Sequence, residues 1–366
     1  MHKLMPGITI LEHELSDLRL QVERQAGILL DCPNSALAAH VGEYLETHEL
    51  ESPGALLQMF RAADQSPAFL PDFLDGVLNV RTGFFRHPAA MNALSHYVIP
   101  QLCSRKSEDG PATLRIWSAG CATGEEPYSI AMAVCEAISG ANGGGSSNGL
   151  GNGNGSKDTR DKSVRNNNGD AAALAGLAPG SREWSIHIVG SDLLPSAIEV
   201  AERGLYPQSA LAGLPPAMIR ASFAKIGSVN GGSNGNGSSM NGSPATNGSA
   251  NSFADAKNGN GLNGSAHLLV KPRLRSLVTF NTMNLTKPVY IGRFDCIFCM
   301  DVLPHLSRAQ RSALIERLHL YLEPGGYLFL SQTEKLSAPN LNFRPETFDG
   351  YTVHRKPLAA GAAYGR

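Results

Sequence analysis

Apolar residues recur at helical spacing through the first quarter of the chain. A stripe that begins at Leu11 predicts a first helix ending near Leu30. Three further helix starts are marked by proline beside a small polar residue: Pro33-Asn34, Ser52-Pro53 and Ser66-Pro67. Residues 8 to about 90 therefore predict a small all-helical bundle.

The later part of the chain alternates between short apolar runs and helical stripes. Strands are predicted at Leu114–Trp117, Trp184–Gly190, Leu277–Asn281, Phe294–Val302, Gly326–Ser331 and Tyr351–Arg355. Helices between them are predicted at Pro127–Ile138, Pro195–Arg203 and Arg308–Leu322. This alternation is typical of a doubly wound α/β fold with a mostly parallel sheet. We therefore predict a helical domain and linker over residues 1–90, followed by an α/β domain over residues 91–366.

Two stretches rich in Gly, Asn and Ser interrupt the second predicted domain, at about residues 139–181 and 228–265. Their composition buries too little apolar surface to offset the entropy of ordering, so we expect flexible coil inserted into loops. The second insert falls between Phe223–Ile226 and His267–Val270.

Composition narrows the classes of function. Lys and Arg number 31 against 32 Asp and Glu, a net charge of -1, which argues against nucleic-acid binding. No apolar run approaches the roughly 18 residues of a membrane span, and the first residues lack the apolar core of a signal peptide. We therefore expect a cytoplasmic protein without membrane insertion. Cys296 and Cys299 fall inside an apolar run, so buried thiols rather than metal ligands are expected there.

The segment after the first predicted strand carries candidate cofactor chemistry. Gly120 and Gly124 would let a ligand approach the backbone at the carboxyl end of that strand. Glu125 is a candidate partner for a cationic or amino-bearing ligand. Glu126 lies three residues after Thr123 and is interpreted mainly as part of a helix capping box. Two carboxylates would repel a pyrophosphate, which disfavours a nicotinamide cofactor and favours a positively charged nucleoside.

Two further segments carry ambiguous signals. Asp192 follows the second predicted strand, where an acid either binds ribose hydroxyls or caps the helix that starts at Pro195. Phe84 and Phe85 either anchor a linker in the core or stack on an adenine. Arg86, directly after them, is a candidate for binding a carboxylate.

Taken together and in order, these segments resemble the CheR-type chemotaxis methyltransferases, which methylate glutamate side chains of chemoreceptors. The resemblance covers nearly all the chain outside the two inserts, including the helical start. The matching segments are Thr82–Arg86, Arg115–Met132, Val189–Tyr206, Thr279–Leu285, Phe294–Val302 and Leu322–Glu334. The Thr-x-Phe-Phe-Arg and Thr-Gly-Glu-Glu-Pro-Tyr-Ser blocks carry most of the specificity. The resemblance implies a Rossmann-like methyltransferase domain with a mostly parallel sheet, preceded by a small all-helical domain. It also implies a small antiparallel β subdomain at the second insert, which would be the lengthened tip of a hairpin.

The resemblance also implies S-adenosyl-L-methionine as the cofactor and assigns residues to it. Glu125 matches an acid near the methionine part, Asp192 matches the ribose-binding acid, and Asn284-Leu285 matches a pair beside the adenine. The full predicted cofactor set is Thr82, Arg86, Gly120, Glu125, Asp192, Asn284, Leu285 and Asp301. A carboxylate acceptor is already ionised at pH 7, so no catalytic base is predicted.

One segment departs from the family pattern. The usual Arg-Asn-Val is Met300-Asp301-Val302 here, and the usual Tyr-Phe is His305-Leu306. Asp301 would repel a carboxylate substrate unless its own carboxyl group is protonated or pairs with the cofactor sulfonium.

The predicted function is therefore methyl transfer to glutamates of a chemoreceptor or a related signalling protein. Two alternatives stay open. One is a CheR-like module that binds the cofactor or a partner without methylating it. The other is a methyltransferase with a different acceptor.

Overall fold

The fold was analysed in a computed structural model, which describes residues 10–62, 69–78, 82–107, 112–142, 184–225, 267–289, 291–336 and 340–358. Its N-terminal part contains four helices: α1 (Glu12–Ala26), α2 (Asn34–Thr47), α3 (Pro53–Arg61) and α4 (Phe69–Val77). Their apolar faces meet in one core that buries Leu18, Leu37, Phe60 and Phe73. The four predicted helices are confirmed, although the proposed start of the fourth at Ser66-Pro67 lies outside the described residues.

Helix α1 ends earlier than the apolar stripe predicted. It stops at Ala26 because Gly27 adopts a left-handed conformation, with φ 72°, and donates its N–H to the Glu23 carbonyl at 2.9 Å. The prediction that this helix reaches Leu30 is therefore wrong. Residues between Ala26 and Asn34 form an extended connection to α2 instead.

A continuous helical stretch that the sequence analysis did not predict leads into the α/β part. It consists of α5 (Pro88–Ala93), a π-helical turn (Leu94–Val98) and α6 (Ile99–Ser107). The domain boundary placed at residue 90 stays a prediction, and it falls inside α5.

Within the described ranges, ten strands form two sheets. The strands are β1 (Thr113–Ala119), β2 (Ser185–Asp192), β3 (Leu205–Pro207), β4 (Phe223–Lys225), β5 (His267–Val270), β6 (Val278–Thr282), β7 (Phe294–Phe298), β8 (Leu322–Phe329), β9 (Arg344–Phe348) and β10 (Tyr351–Arg355). The main sheet has the order β6-β2-β1-β7-β8-β10-β9, in which the first five strands are parallel. Strand β10 runs antiparallel to both of its neighbours. The predicted α/β fold with a mostly parallel sheet is confirmed, while β9 had not been predicted.

Five helices connect the strands: α7 (Glu125–Asn142), α8 (Pro195–Arg203), α9 (Pro216–Ser222), α10 (Pro272–Arg275) and α11 (Arg308–Tyr321). Strand β7 lies centrally and shows why both faces are covered. Phe294 and Ile297 pack into the core that contains the N-terminal helices and α11. Cys296 and Phe298 pack into the other core, with α6 and α7. Every residue of β7 is buried, as expected for a strand inside a parallel sheet.

Strand β7 is shorter than predicted. It ends at Phe298 rather than Val302, because the chain turns sharply at Asp301, whose φ is 58°. Apolarity continues past the turn through Cys299 and Met300, which are buried in the turn itself. A hydrophobic run therefore did not mark the end of the strand.

The small second sheet has the antiparallel order β3-β5-β4. Strand β4 pairs with β5, which confirms the hairpin expected around the second insert. Helix α7 continues to Asn142, past the predicted start of the first insert, and the rest of both inserts lies outside the described residues. Among the described helices, none combines the length and the apolarity needed to cross a membrane.

Candidate cofactor site

A cavity of about 710 Å³ opens at the carboxyl ends of the parallel strands β1, β2 and β7. The chain passes from β1 to β2 on one side and later returns to place β7 on the other side of β1. Such a reversal of strand order leaves a crevice where α/β folds bind ligands. The volume falls within the range of small-molecule sites, which is about 300–1,000 Å³.

Most of the predicted cofactor residues come together in this cavity. Its lining includes Thr82, Arg86, Gly120, Asp192, Asn284, Leu285 and Asp301. Glu125 is the exception, because it is buried behind the cavity wall. The roles that the resemblance assigned to these residues stay predictions.

Gly120 sits at the sharp turn that follows β1. Its φ is +86°, and a Cβ atom on it would lie 2.5 Å from Cγ2 of Val302. The N–H groups of Gly120 and Cys121 both donate to the Ser191 carbonyl, at 2.8 and 2.9 Å. The turn is therefore tied to the end of β2, and only glycine fits at its centre.

Asp192 ends β2 with its carboxylate held by backbone N–H groups. Oδ2 accepts from the Ala122 N–H at 2.8 Å, and Oδ1 accepts from the Leu194 N–H at 3.1 Å. Leu194 is itself the N-cap residue of α8, so the carboxylate bonds outside the helix and does not cap it. Burial raises the pKa of Asp192, and its backbone hydrogen bonds oppose that rise. Of the two interpretations left open for this acid, helix capping is the one the structure contradicts.

The two consecutive glutamates have exchanged the positions expected for them. Glu125 is buried, accepts the Thr123 hydroxyl at 2.7 Å and also hydrogen-bonds the side chain of Thr82. Glu126 instead lines the cavity and accepts the Ser118 hydroxyl at 2.7 Å. Successive helix residues point about 100° apart, so a rotation of one residue decides which of the two faces the ligand space.

The capping role given to Glu126 is therefore wrong. Burial raises the pKa of Glu126 to about 7, with the carboxylates of Asp301 and Glu334 contributing in the same direction. Arg86 opposes the rise. This carboxyl group consequently titrates near neutral pH at the edge of the cavity.

Asp301 forms a charged cluster with the two residues that precede α5. Its Oδ2 lies 3.0 Å from the Arg86 guanidinium and 3.1 Å from Nε2 of His87. The protein itself therefore counters the negative charge that was expected to repel a carboxylate. Neither protonation of Asp301 nor a sulfonium partner is needed to explain its presence.

Three non-glycine residues of the cavity wall have left-handed backbones. Phe85, Ala122 and Asp301 have φ values of 51°, 50° and 58°. Each such residue costs about 1–3 kcal/mol and persists only where surrounding contacts impose it. Their concentration around one cavity marks this end of the sheet as a functional region.

Glu334 holds the turn that carries Asp301. Its carboxylate accepts from the backbone N–H groups of Asp301 at 3.2 Å, Leu303 at 2.9 Å and Ser331 at 2.9 Å. The sequence analysis included this glutamate in a matching segment but gave it no role. An acid shortly after a strand end was the only signal available.

The aromatic pair of the linker serves two purposes. Phe84 packs edge-on against Tyr206 and Phe223, with ring centroids 4.9 and 5.3 Å away. Phe85 lines the cavity, and its N–H donates to the Ser129 hydroxyl at 2.9 Å. The structure therefore assigns the anchoring interpretation to Phe84 and leaves Phe85 beside the ligand space.

The helical bundle also contributes to the cavity, which the sequence analysis missed. Ile28, Leu30, Cys32 and Pro33 line one side of it. They follow Gly27, and a glycine after an apolar stripe is a helix-end signal that would have separated these residues from α1.

Three of the six cysteines are buried thiols. Cys121, Cys296 and Cys299 are buried, and burial raises the pKa of each thiol well above its usual range. In the part of the chain that the structure describes, no three His, Cys, Asp or Glu side chains are grouped in a way that would hold a metal ion.

Comparison with known families gives an independent result. The family model described as "CheR methyltransferase, SAM binding domain" matches residues 80–144 and 250–351, where SAM denotes S-adenosyl-L-methionine. The matched segments contain every residue of the predicted cofactor set except Asp192, which lies between them.

Curated relatives cover most of the chain. Chemotaxis protein methyltransferase 1 of Pseudomonas aeruginosa is 27% identical over 322 residues, which is 87% of this chain and 89% of that protein. A chemotaxis protein methyltransferase of Pseudomonas putida is 26% identical over 327 residues, covering 88% and 90%. A solved glycopeptide N-methyltransferase complexed with S-adenosyl-L-methionine is 12% identical and covers 76% of this chain and 72% of that one. Its TM-score of 0.26 is too low to inform the site.

Proposed function

Because the chain belongs to the CheR methyltransferase family, we propose that it transfers a methyl group from S-adenosyl-L-methionine to glutamate side chains of a chemoreceptor or a related signalling protein. S-adenosyl-L-methionine is its cofactor, and the family activity is methyl transfer in chemotaxis. The glutamate acceptor, the receptor partner and a cytoplasmic location belong to the proposal.

One observation carries the proposal. Seven predicted cofactor residues come from five separate segments of the chain, yet they line a single cavity at the carboxyl ends of the strands. Residues so far apart in sequence meet at a strand-order reversal when the fold is built to bind a ligand there.

The chemistry of the cavity fits the cofactor. S-adenosyl-L-methionine supplies an electrophilic methyl group on a positively charged sulfur. In the proposed complex Asp192 accepts hydrogen bonds from ribose hydroxyls. A cation bound beside Glu126 would favour the ionised form of this carboxyl group, whose pKa burial raises to about 7. Arg86 is the candidate partner for a carboxylate. The cradle at Gly120 brings the ligand close to the backbone of β1.

The proposed reaction asks for positioning rather than for a general base. A glutamate acceptor is ionised at pH 7 and attacks the methyl group directly. The side chain of Met300 is buried and lies 3.8 Å, through its sulfur, from the Tyr351 hydroxyl. An apolar wall at this place helps to exclude water from the reacting groups, which strengthens electrostatic interactions between them.

Cofactor binding is the first test. Isothermal titration calorimetry with S-adenosyl-L-methionine and S-adenosylhomocysteine should give saturable binding to the wild type. Asp192→Asn keeps the shape of the side chain but removes its charge, and we expect binding about 10- to 150-fold weaker, since a hydrogen bond to a charged group contributes about 1.5–3 kcal/mol. Asp349→Asn, in the β9–β10 turn, is the matched control and should bind as the wild type does. Folded wild-type protein that binds neither compound would refute the proposal.

The acceptor needs a second test. The protein is incubated with methyl-labelled S-adenosyl-L-methionine and the cytoplasmic fragment of a chemoreceptor. A glutamyl methyl ester releases labelled methanol at alkaline pH, whereas an N-methyl group does not. If the label stays on the protein at alkaline pH, the acceptor is not a glutamate carboxylate but a group of another chemical class.

A second candidate function has one observation in its favour. Asp301 holds the Arg86 guanidinium at 3.0 Å, and Met300 contributes no charge beside it. A site whose cation is already paired favours cofactor binding without transfer. The methyl-transfer assay with the wild type separates the two: labelled ester is formed under the proposed function, and bound cofactor without labelled ester is expected under the binding-only function.

A further inference from the structure

The connection between α1 and α2 contacts the α/β domain along its whole first half. We call residues Ala26–Pro33 the strap. Arg19 of α1 holds the end of the strap that leads into α2. Its Nη2 donates to the Cys32 carbonyl at 2.6 Å and to Oδ1 of Asn34 at 3.1 Å. The strap is therefore fastened to the helical bundle at both of its ends.

The first contact joins the strap to the segment after β6. The Ala26 carbonyl accepts the Thr286 hydroxyl at 2.8 Å and the Asn284 amide at 3.2 Å. Oδ1 of Asn284 in turn accepts from the Thr286 N–H at 2.9 Å. Asn284, which was expected beside the adenine, is thus also a hydrogen-bond partner of the strap.

Packing at this contact is tight. A Cβ atom on Gly27 would lie 2.6 Å from Cγ2 of Thr286, and the residue has a left-handed backbone. Ala26 and Thr286 are both buried. Among the described residues, the Ala26 carbonyl has two side-chain donors, the Thr286 hydroxyl and the Asn284 amide. Removing the Thr286 hydroxyl would leave this buried carbonyl with the longer of the two hydrogen bonds.

The second contact joins the strap to the turn that carries Asp301. The Leu29 N–H donates to the His305 carbonyl at 2.8 Å, and Ile28 forms an antiparallel bridge with Leu306. Side chains of the strap alternate, so Ile28 and Leu30 point into the cavity while the backbone pairs with the turn. The same short segment therefore pairs with the protein and faces the ligand space.

We propose that the strap is a cofactor-binding element, and that docking of the helical bundle and binding of the cofactor form one coupled equilibrium. The proposal rests on S-adenosyl-L-methionine or its product occupying the cavity. A ligand that contacts the docked strap stabilises the docked state. By linkage, a change that loosens the strap weakens binding of the ligand. Asn284 and Thr286 are then positioning residues that act through the strap.

The test is amide hydrogen exchange of the full chain, with and without S-adenosylhomocysteine. The amide of Leu29 exchanges only when the strap leaves His305. If the ligand binds only the docked form, a concentration 100 times its dissociation constant slows that exchange by about 100-fold. The amides of β9, an edge strand none of whose residues lines the cavity, provide the internal reference and should not change.

Variants of Thr286 sharpen the test. Thr286→Val removes the hydroxyl at constant shape, and we expect Leu29 exchange in the ligand-free protein to accelerate by about 5- to 30-fold. Thr286→Ser keeps the hydroxyl and should behave as the wild type, which also covers the case that the valine variant fails to fold. Thr279→Val, on the exposed side of β6, is the control for a threonine-to-valine change in the same segment.

The outcomes are distinct. The strap proposal is overturned, and the cofactor assignment stands, if the ligand binds without slowing exchange of the Leu29 amide. The same conclusion follows if the ligand slows exchange of the reference amides equally. If the wild type binds no ligand, both are overturned. Selective slowing at the strap by the ligand, together with faster ligand-free exchange in Thr286→Val but not in Thr286→Ser, establishes the coupling.

Discussion

The two ends of the central sheet treat buried carboxylates differently. At the end opposite the cavity, Asp295 near the start of β7 is 2% exposed and lies 2.7 Å from the Lys106 ammonium. The Arg115 N–H donates to the same oxygen at 3.0 Å. At the cavity end, Asp192 is held by backbone N–H groups, and Glu126 is held by a hydroxyl.

The difference teaches how one fold separates stability from function. A buried carboxylate that meets a cation of its own chain is compensated once the chain has folded. A carboxylate held only by N–H or O–H groups is oriented but keeps capacity for a positively charged or hydroxyl-bearing ligand. The left-handed residues of the cavity wall belong to the same end of the sheet. Asp295 thus meets a cation of its own chain at one end of the sheet, whereas Asp192 and Glu126 keep acceptor capacity at the other.

The largest expected effect breaks the stabilising end. Lys106→Met leaves Asp295 buried without its cation, and we expect the free energy of unfolding to fall by about 3–5 kcal/mol. Chemical denaturation measures this loss. The double variant Lys106→Met/Asp295→Asn should recover most of it, while cofactor affinity below the unfolding transition stays within twofold of wild type. A loss under about 1 kcal/mol would show that the Lys106–Asp295 pair contributes little to the free energy of unfolding.

The next effect is a pH dependence at the cavity end. Burial raises the folded-state pKa of Glu126 from its usual value of 4.5 to about 7, so the folded protein holds the proton between these values. The contribution of this group to stability is therefore fully present below about pH 4.5 and is lost as pH rises to 7, by up to about 3 kcal/mol. Glu126→Gln should be more stable than wild type at pH 8 and equal to it near pH 4.

Denaturation at a series of pH values tests that sign. The glutamine oxygen still accepts the Ser118 hydroxyl, so local packing is preserved. Glu316→Gln, exposed on α11, is the matched control and should follow the wild-type curve. A difference between Glu126→Gln and wild type that is constant across pH would contradict the expected titration.

The smallest effect concerns backbone strain in the cavity wall. Ala122 has φ 50°, a conformation that glycine adopts without steric cost, so Ala122→Gly should raise the unfolding free energy by about 0.5–1 kcal/mol. The same substitution at Ala133, inside α7, should lower it by about 1 kcal/mol. Thermal unfolding of the two variants measures both changes. If both substitutions change the unfolding free energy in the same direction, Ala122 is not strained and the comparison between the two positions fails.

Sequence patterns predicted those parts of the fold that have a local cause. The bounds of α8 were found at both ends, since Pro195 suits a first helical turn and the apolar stripe stops at Arg203. The end of β7 was missed, because burial of Cys299 and Met300 continues through a turn that only tertiary contacts impose. Glu334 supplies those contacts from a distant segment.

The site was predictable where position along a strand decides the geometry. Asp192 and Gly120 follow strand ends, and all parallel strand ends meet at one edge. The choice between Glu125 and Glu126 depends on the rotation of α7 about its axis, which packing sets. The contribution of Ile28 and Leu30 depends on how two parts of the chain dock, and no local pattern encodes that.

The topology also offers a practical handle. Helix α7 ends at Asn142 and β2 begins at Ser185, so the chain between them leaves and re-enters at the edge of the sheet remote from the cavity. A reporter domain or an affinity tag inserted there would lie away from the cavity and should not contact a bound ligand. Because both ends of this connection lie away from the ligand space, we expect a chain shortened there to keep its cofactor affinity.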